Sequence, residues 1–210
     1  MGLNINFKPV LCALLLAGMM GTACLSGFLP SAAAKPTAAA ENFLMFNLSE
    51  DAPTSKIKVL NARIIIDAPP VLVWQTLTNY GKHKDFIPGY KKTDLVSCDG
   101  NAKVLDVVMN VGQFLPNYHY KVRVLENKQS FELKMNRISG DFQHLSANYQ
   151  LYPKNNGNQT ILSYSIKLDP GMTLPGVNIS TIMKSNAEKT LKAIESRSEQ
   201  EHKKSLIGQR

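Results

Sequence analysis

The chain has 210 residues, with 24 Lys or Arg against 16 Asp or Glu for a formal charge of +8, and 44% hydrophobic residues. That length holds one domain of about 150 residues plus a targeting segment. The lysines are scattered, with no Arg-rich run and no aromatic-basic alternation. The charge therefore reads as a solvated surface and argues against a nucleic-acid partner.

The amino terminus reads as a signal peptide over residues 1–34. Lys8 is its only charge, Val10 to Leu29 is almost wholly apolar, and Ser31-Ala-Ala-Ala34 supplies an Ala-x-Ala cleavage site. Secretion, or delivery to the periplasm or cell envelope, is the expected location. An uncleaved anchor is the alternative, since about 20 apolar residues can cross a bilayer. Lipidation at Cys24 ranks behind both, because the preceding residues lack the leucine of a lipobox. Removal of the leader takes away Lys8, Cys12 and Cys24, which leaves a charge of +7 and Cys98 alone. A lone cysteine makes no internal disulfide, so the fold must rest on its core.

Residues 35–56, rich in Ala, Pro, Thr and Ser, read as a linker or loosely held arm. The domain is expected over 57–204, with 205–210 as a tail. Ile57–Ile66 is a strand by its β-branched content. Asp67-Ala-Pro-Pro70 then opens a helix, with Asp67 as the expected N-cap and the prolines in the first turn. Val71, Trp74 and Leu77 fall at helical spacing, Gly81 is the expected stop, and a basic turn at Lys82-His83-Lys84 leads to Pro88-Gly89. Two short helices between strands result. Trp74 is expected in the core, and Lys82–Lys84 in solvent or in transient contact with an anionic membrane.

Six strand-like runs follow. Lys91–Cys98 and Ala102–Val111 flank Asp99-Gly100, a hairpin signal. Tyr118–Glu126 and Gln129–Ile138 flank Asn127-Lys128, and Phe142–Tyr152 and Thr160–Leu168 flank an Asn/Gly-rich loop. Tyr118, Tyr120, Val122 and Val124 share one face, with His119, Lys121 and Arg123 on the other. A two-residue turn at 127–128 sets Val124 against Phe131, Val122 against Leu133, Tyr120 against Met135 and Tyr118 against Arg137. The same parity puts Leu105, Val107, Met109 and Val111 inward. It does the same for Leu145, Ala147, Tyr149, Leu151, Leu162, Tyr164, Ile166 and Leu168, provided residues 142–144 form a loop or bulge. The sheet is antiparallel, wet on one face and apolar on the other. A carboxy-terminal helix covers the apolar face through Ile179, Ile182, Met183, Ala187, Thr190, Leu191 and Ile194. Past Ile194 the stripe ends, so SRSEQEHKKSLIGQR is expected to fray.

The order of elements, and the residues VWQTLTNYGKHKDFIPGYKKTDLV, resemble the START-like (Bet v 1-like) superfamily, with its polyketide cyclase/dehydrase and coenzyme Q-binding members. Asn79 stands where that pattern usually has Asp. FQHLSANYQLYPKNNGNQTILSYSIKLDPG, followed by Leu174-Pro175, resembles the family's last hairpin and helix entry. The resemblance covers about residues 57–200. It implies an α+β helix-grip fold: a curved antiparallel sheet around a long carboxy-terminal helix, with two short helices between the first two strands. Function is less defined by it, because this superfamily hosts carriers, receptors and cyclases alike.

The residues themselves offer little catalysis. His83, His119, His144 and His202 are widely spaced and lack partners at metal-ligand spacing. No phosphate loop follows a strand and no nucleophile elbow is present, and no cofactor is indicated. What stands out is the inner face. Tyr118, Tyr120, Tyr149 and Tyr164, with Arg137, are more polar groups than a dry core needs. Met109, Phe131 and Met135, with Met183 from the covering helix, supply adaptable apolar surface. These nine residues are the expected binding site for a hydrophobic small molecule (lipid, isoprenoid quinone or polyketide-like), with Arg137 taking its polar end. Entry would use movement of the 112–117 and 169–174 loops or of the helix, with Gly112, Gly171 and Gly176 placed to allow it. The competing expectation is a polyketide cyclase or dehydratase in which Arg137 and the tyrosines polarise carbonyls and move protons.

Overall fold

The computed structural model describes residues 45–50, 56–112, 115–171 and 178–208. The expected signal peptide, Cys24 and Gly176 lie outside these residues. Strands β1 (Met45–Glu50) and β2 (Lys58–Ile66) come first, then helix α1 (Pro70–Thr78), a 3-10 turn at Tyr80–Lys82 and helix α2 (His83–Phe86). Six strands follow: β3 (Tyr90–Asp99), β4 (Ala102–Asn110), β5 (Asn117–Asn127), β6 (Glu132–Gly140), β7 (His144–Lys154) and β8 (Gln159–Asp169). Helix α3 (Ile179–Ile207) ends the described chain. All eight strands form one antiparallel sheet in the order β1-β2-β8-β7-β6-β5-β4-β3, and α3 packs on its apolar face. This is the α+β helix-grip architecture. Among the described residues no helix is long and apolar enough to cross a membrane.

Alternation set the faces. Along β5, Tyr118, Tyr120, Val122 and Val124 are buried and the residues between them are exposed. Leu105, Val107, Leu145, Tyr149, Leu151, Leu162 and Tyr164 join them inside, and residues 142 and 143 lie outside any strand, as the parity requires. Fully burying each such Leu or Val contributes about 1.5–3 kcal/mol.

The β5–β6 register differs from the two-residue turn expected. Val124 pairs with Met135, Val122 with Arg137, and Tyr120 with Gly140. The connection is longer, and Phe131 sits in it with a φ of 52°. The shift is even, so every side chain keeps its face, and the hydrophobic pattern alone cannot distinguish the two pairings. A bulge at Ile138 then resets the ladder, since Val122 opposes Arg137 while Lys121 opposes Ser139.

A second bulge lies in β3. Tyr90 pairs with Met109 and Thr93 with Val107, so Lys91 is the extra residue. Tyr90 and Thr93 would face opposite ways in a regular strand. The bulge turns both to the inner side.

The wedge of short helices also departs in detail from its sequence reading. Pro69, not Asp67, occupies the N-cap of α1, and no side chain caps it; Pro70 starts the helix. Val71 is exposed, while Val73, Trp74, Thr76 and Leu77 are buried. The helix ends at Thr78, and Gly81 lies within the 3-10 turn. Pro88-Gly89 ends the segment, and a Cβ on Gly89 would stand 2.5 Å from the Asn110 carbonyl oxygen.

Asp67 instead anchors the far end of α3. Its N–H donates to Glu199 Oε1 (3.0 Å), its carbonyl accepts from His202 Nδ1 (3.0 Å), and its Oδ1 accepts from Gln159 Nε2 (3.1 Å). The helix therefore continues to Ile207 rather than fraying after Ile194. Ser198 is fully buried on that extension, and the Arg197–Glu201 pair at 2.9 Å adds i,i+4 support. At its other end Asn178 caps α3, accepting from the Thr181 N–H at 3.1 Å.

The arm over 35–56 also contains structure. Its residues Met45–Glu50 form β1, paired with β2 from Met45–Arg63 to Glu50–Lys58. Phe46 is partly buried against the core, and Lys184 Nζ lies 5.5 Å from its ring. The small and polar residues around this short alternation hid it, and the unpaired edge of β2 recruits it.

Candidate functional site

The first turns of α3 lie over a cavity in the apolar face of the sheet. Ile179, Ile182, Met183, Asn186, Ala187 and Thr190 roof a cavity of about 110 Å³, whereas Leu191 and Ile194 further along are packed into the core. The floor is the inner face of the sheet, from Tyr90 and Met109 through Tyr120, Met135 and Ala147 to Tyr164 and Leu168. Ala147 and Ala187 leave the space because each ends at Cβ. Asn186 ties roof to floor, donating from Nδ2 to the Val111 carbonyl at 2.8 Å and to the Ile182 carbonyl at 3.0 Å.

Of the nine residues expected here, Met109, Tyr118, Tyr120, Met135, Tyr149, Tyr164 and Met183 line the cavity. Phe131 does not. From its place in the β5–β6 turn its ring meets Trp74 edge-on at 5.9 Å, at the wedge end of the core. Arg137 does not either. It faces Val122 rather than Tyr118, and its Nη2 donates to the Gly140 carbonyl at 2.9 Å, across the bulge. Both displacements follow from the register shift.

Five lining residues escaped the sequence reading: Tyr90, Leu115, Phe142, Pro170 and Asn186. Tyr90 needed the bulge at Lys91. Phe142 lies outside the strand pattern, yet it stacks on Tyr118 with ring centroids 4.6 Å apart and 12° between planes. Asn186 is a polar residue between the apolar helix positions.

No charged side chain appears among the described lining residues. The polar groups are phenols, the Asn186 amide and the Thr190 hydroxyl. The Tyr149 and Tyr164 rings lie with centroids 4.7 Å apart, and the Tyr120 hydroxyl donates to Met109 Sδ at 3.4 Å. Burial pushes the phenols of Tyr90, Tyr120, Tyr149 and Tyr164 above their ordinary range, and neighbouring phenols add to the rise at Tyr120 and Tyr149. Tyr118 is raised by burial and by the Asp141 carboxylate. These groups stay protonated at neutral pH and are weaker acids than free tyrosine.

A smaller cavity of about 30 Å³ adjoins the first and shares Tyr90, Met135 and Tyr149 with it. Its other walls include His83, Thr93, Leu105, Leu133 and Ile194. The basic turn is thus not wholly solvated: Lys82 and Lys84 are exposed, but the His83 ring packs edge-on against Tyr80 (5.5 Å), Phe86 (5.8 Å) and Tyr90 (6.3 Å). Burial holds the imidazole below its ordinary value, against the opposing pull of the Thr76 and Leu77 backbone nearby. Among the described residues no three His, Cys, Asp or Glu side chains gather to hold a metal ion.

Comparison with solved structures places this architecture beside three others. The aromatase/cyclase Zhui from Streptomyces sp. R1128 is similar at 14% identity and a TM-score of 0.59, over 68% of this chain and 94% of that one. The STAR-related lipid transfer protein from Xanthomonas axonopodis, residues 25–204, is similar at 13% identity and a TM-score of 0.60, over 73% and 98%. Ara h 8.0201 is similar at 14% identity and a TM-score of 0.52, over 68% and 97%. At such identities the likeness concerns the fold. No curated protein matches the sequence. The family model for polyketide cyclase / dehydrase and lipid transport matches residues 66–195, from the last residue of β2 to the middle of α3. The chain belongs to that family.

Proposed function

We propose that this protein binds and carries an uncharged, largely apolar small molecule, a lipid, isoprenoid quinone or polyketide-like compound, and does so without covalent chemistry. The observation that carries the reading is the cavity beneath α3: its described lining is mostly apolar and holds no charge, and its phenols stay protonated at neutral pH. Burial of a few hundred Å² of ligand surface there yields several kcal/mol at about 25 cal/mol per Å². A cavity of about 110 Å³ suits a slim chain or ring, and the thioethers of Met109, Met135 and Met183 can repack around a larger guest. A cyclase reading finds less support. Arg137 is engaged with Gly140, and phenols raised by burial are poor proton donors at neutral pH. The apolar stretch Val10 to Leu29 and the Ala-x-Ala site after it support a signal peptide and action outside the cytoplasm as part of this proposal.

Native mass spectrometry of protein purified without detergent, followed by solvent extraction, tests this. A co-purified apolar compound, or tight displacement of a neutral fluorescent probe such as N-phenyl-1-naphthylamine, is the expected result. Protein that carries no guest and takes up no probe overturns the reading.

A further inference from the structure

The small cavity has a property that the large one lacks. His83 Nε2 and Thr93 Oγ1 are both fully shielded from solvent and have no hydrogen-bond partner in the protein. A buried polar atom left unpaired destabilises the folded chain. Two on residues that line one 30 Å³ space, next to a ligand-sized chamber, form a preset polar end. Neither arises by accident of the strand pattern. Thr93 is brought inside by the bulge at Lys91, and His83 by the first turn of α2.

The chemistry of the two atoms fixes what they accept. Burial keeps the imidazole neutral, so Nε2 either accepts a hydrogen bond or donates one, according to the tautomer. Thr93 Oγ1 both donates and accepts. A group that both donates and accepts hydrogen bonds satisfies the pair, and with no cation among the described lining residues an uncharged one fits.

We infer that the His83–Thr93 chamber is the head-group subsite of the ligand cavity, and that it selects apolar molecules ending in a neutral hydroxyl, alcohol or phenol. The inference rests on the carrier reading above. The apolar body lies beneath α3, and the hydroxyl, which can both donate and accept, passes Tyr90, Met135 and Tyr149 to pair with His83 Nε2 and Thr93 Oγ1.

Competition against bound N-phenyl-1-naphthylamine tests it, with 1-octanol, 1-methoxyoctane and octanoate as competitors. The methyl ether keeps the oxygen but cannot donate. The expected wild-type result is octanol ahead of the ether by at least about fivefold, with octanoate at pH 8 weaker than both. In His83→Phe, and in the isosteric Thr93→Val should the first fail to fold, the alcohol-to-ether ratio falls to within about twofold of unity. Lys84→Ala, on the exposed side of α2, keeps the wild-type ratio. Equal affinity for alcohol and ether in the wild type overturns the subsite while leaving the carrier reading intact. So does a ratio that survives both substitutions, or octanoate binding ahead of octanol. Failure of every competitor and of the probe overturns the carrier reading together with it.

Discussion

Tyr149 and Tyr164 stand directly opposite each other on β7 and β8, both buried, with ring centroids 4.7 Å apart. Neither phenol can be removed without changing the buried surroundings of the other. Tyr149→Phe and Tyr164→Phe should each lower unfolding free energy by about 1 kcal/mol, and the double variant by clearly less than the sum. Urea titration of the four proteins checks this. Strict additivity would mean the two hydroxyls act independently.

Ala147 faces the roof of the cavity and limits nothing but its own methyl group. Ala147→Leu should fill part of the 110 Å³ and weaken binding of the neutral probe by about tenfold or more. Its melting temperature should stay within a few degrees of the wild type, since the added methylenes enter open space. Undiminished probe binding would place the guest elsewhere.

Gly140 holds the bulge that diverts Arg137. A Cβ there would lie 2.3 Å from the His119 carbonyl oxygen and 2.4 Å from Tyr120 Cα, at a φ of 118°. Both obstacles are backbone, so Gly140→Ala should cost more than about 3 kcal/mol or prevent folding. A chemical denaturation midpoint close to that of the wild type would show that β5 and β6 can separate here without loss.

His83 gives stability a pH dependence of known sign. Its folded-state value is held below the ordinary 6.5 by burial. As pH falls through 6.5 the unfolded chain takes up a proton while the folded ring stays neutral. The contribution is therefore complete above that value and is lost towards the lower, folded one. His83→Gln should remove this component. Urea midpoints between about pH 5 and pH 8 should fall less steeply on acidification than in the wild type. Lys82 and Asp85, an exposed pair at 3.5 Å, are present in both proteins and cancel in the comparison. Parallel profiles would show that the ring titrates alike in the folded and unfolded chains.

Thr93→Val offers a check from stability alone. If the hydroxyl is unpaired in the free protein, the isosteric methyl should leave the protein equally stable or raise its melting temperature by about 2–4 °C. A loss of that size would reveal a partner for Oγ1 in the unliganded state.

The amino-acid sequence by itself determined the faces of the sheet, the helix that covers them and seven of the nine residues assigned to the cavity. Side-chain parity in a strand is a local property, and the even register shift between β5 and β6 leaves it untouched. Phe131 and Arg137 were misplaced by that same shift, because turn length decides which residues meet across a hairpin.

Tertiary structure alone decided the rest. The bulge at Lys91 brings Tyr90 and Thr93 inside together, and strict alternation forbids that pairing. The polar end of α3 stays helical because Glu199 and His202 find the backbone of Asp67, distant in sequence and adjacent in space. The short strand β1 forms because β2 offers it an unpaired edge. His83 looks like part of a basic turn until α2 rotates it against Tyr80 and Tyr90. Each of these depends on which partners the folded chain supplies, and no local pattern of apolar and polar residues encodes that.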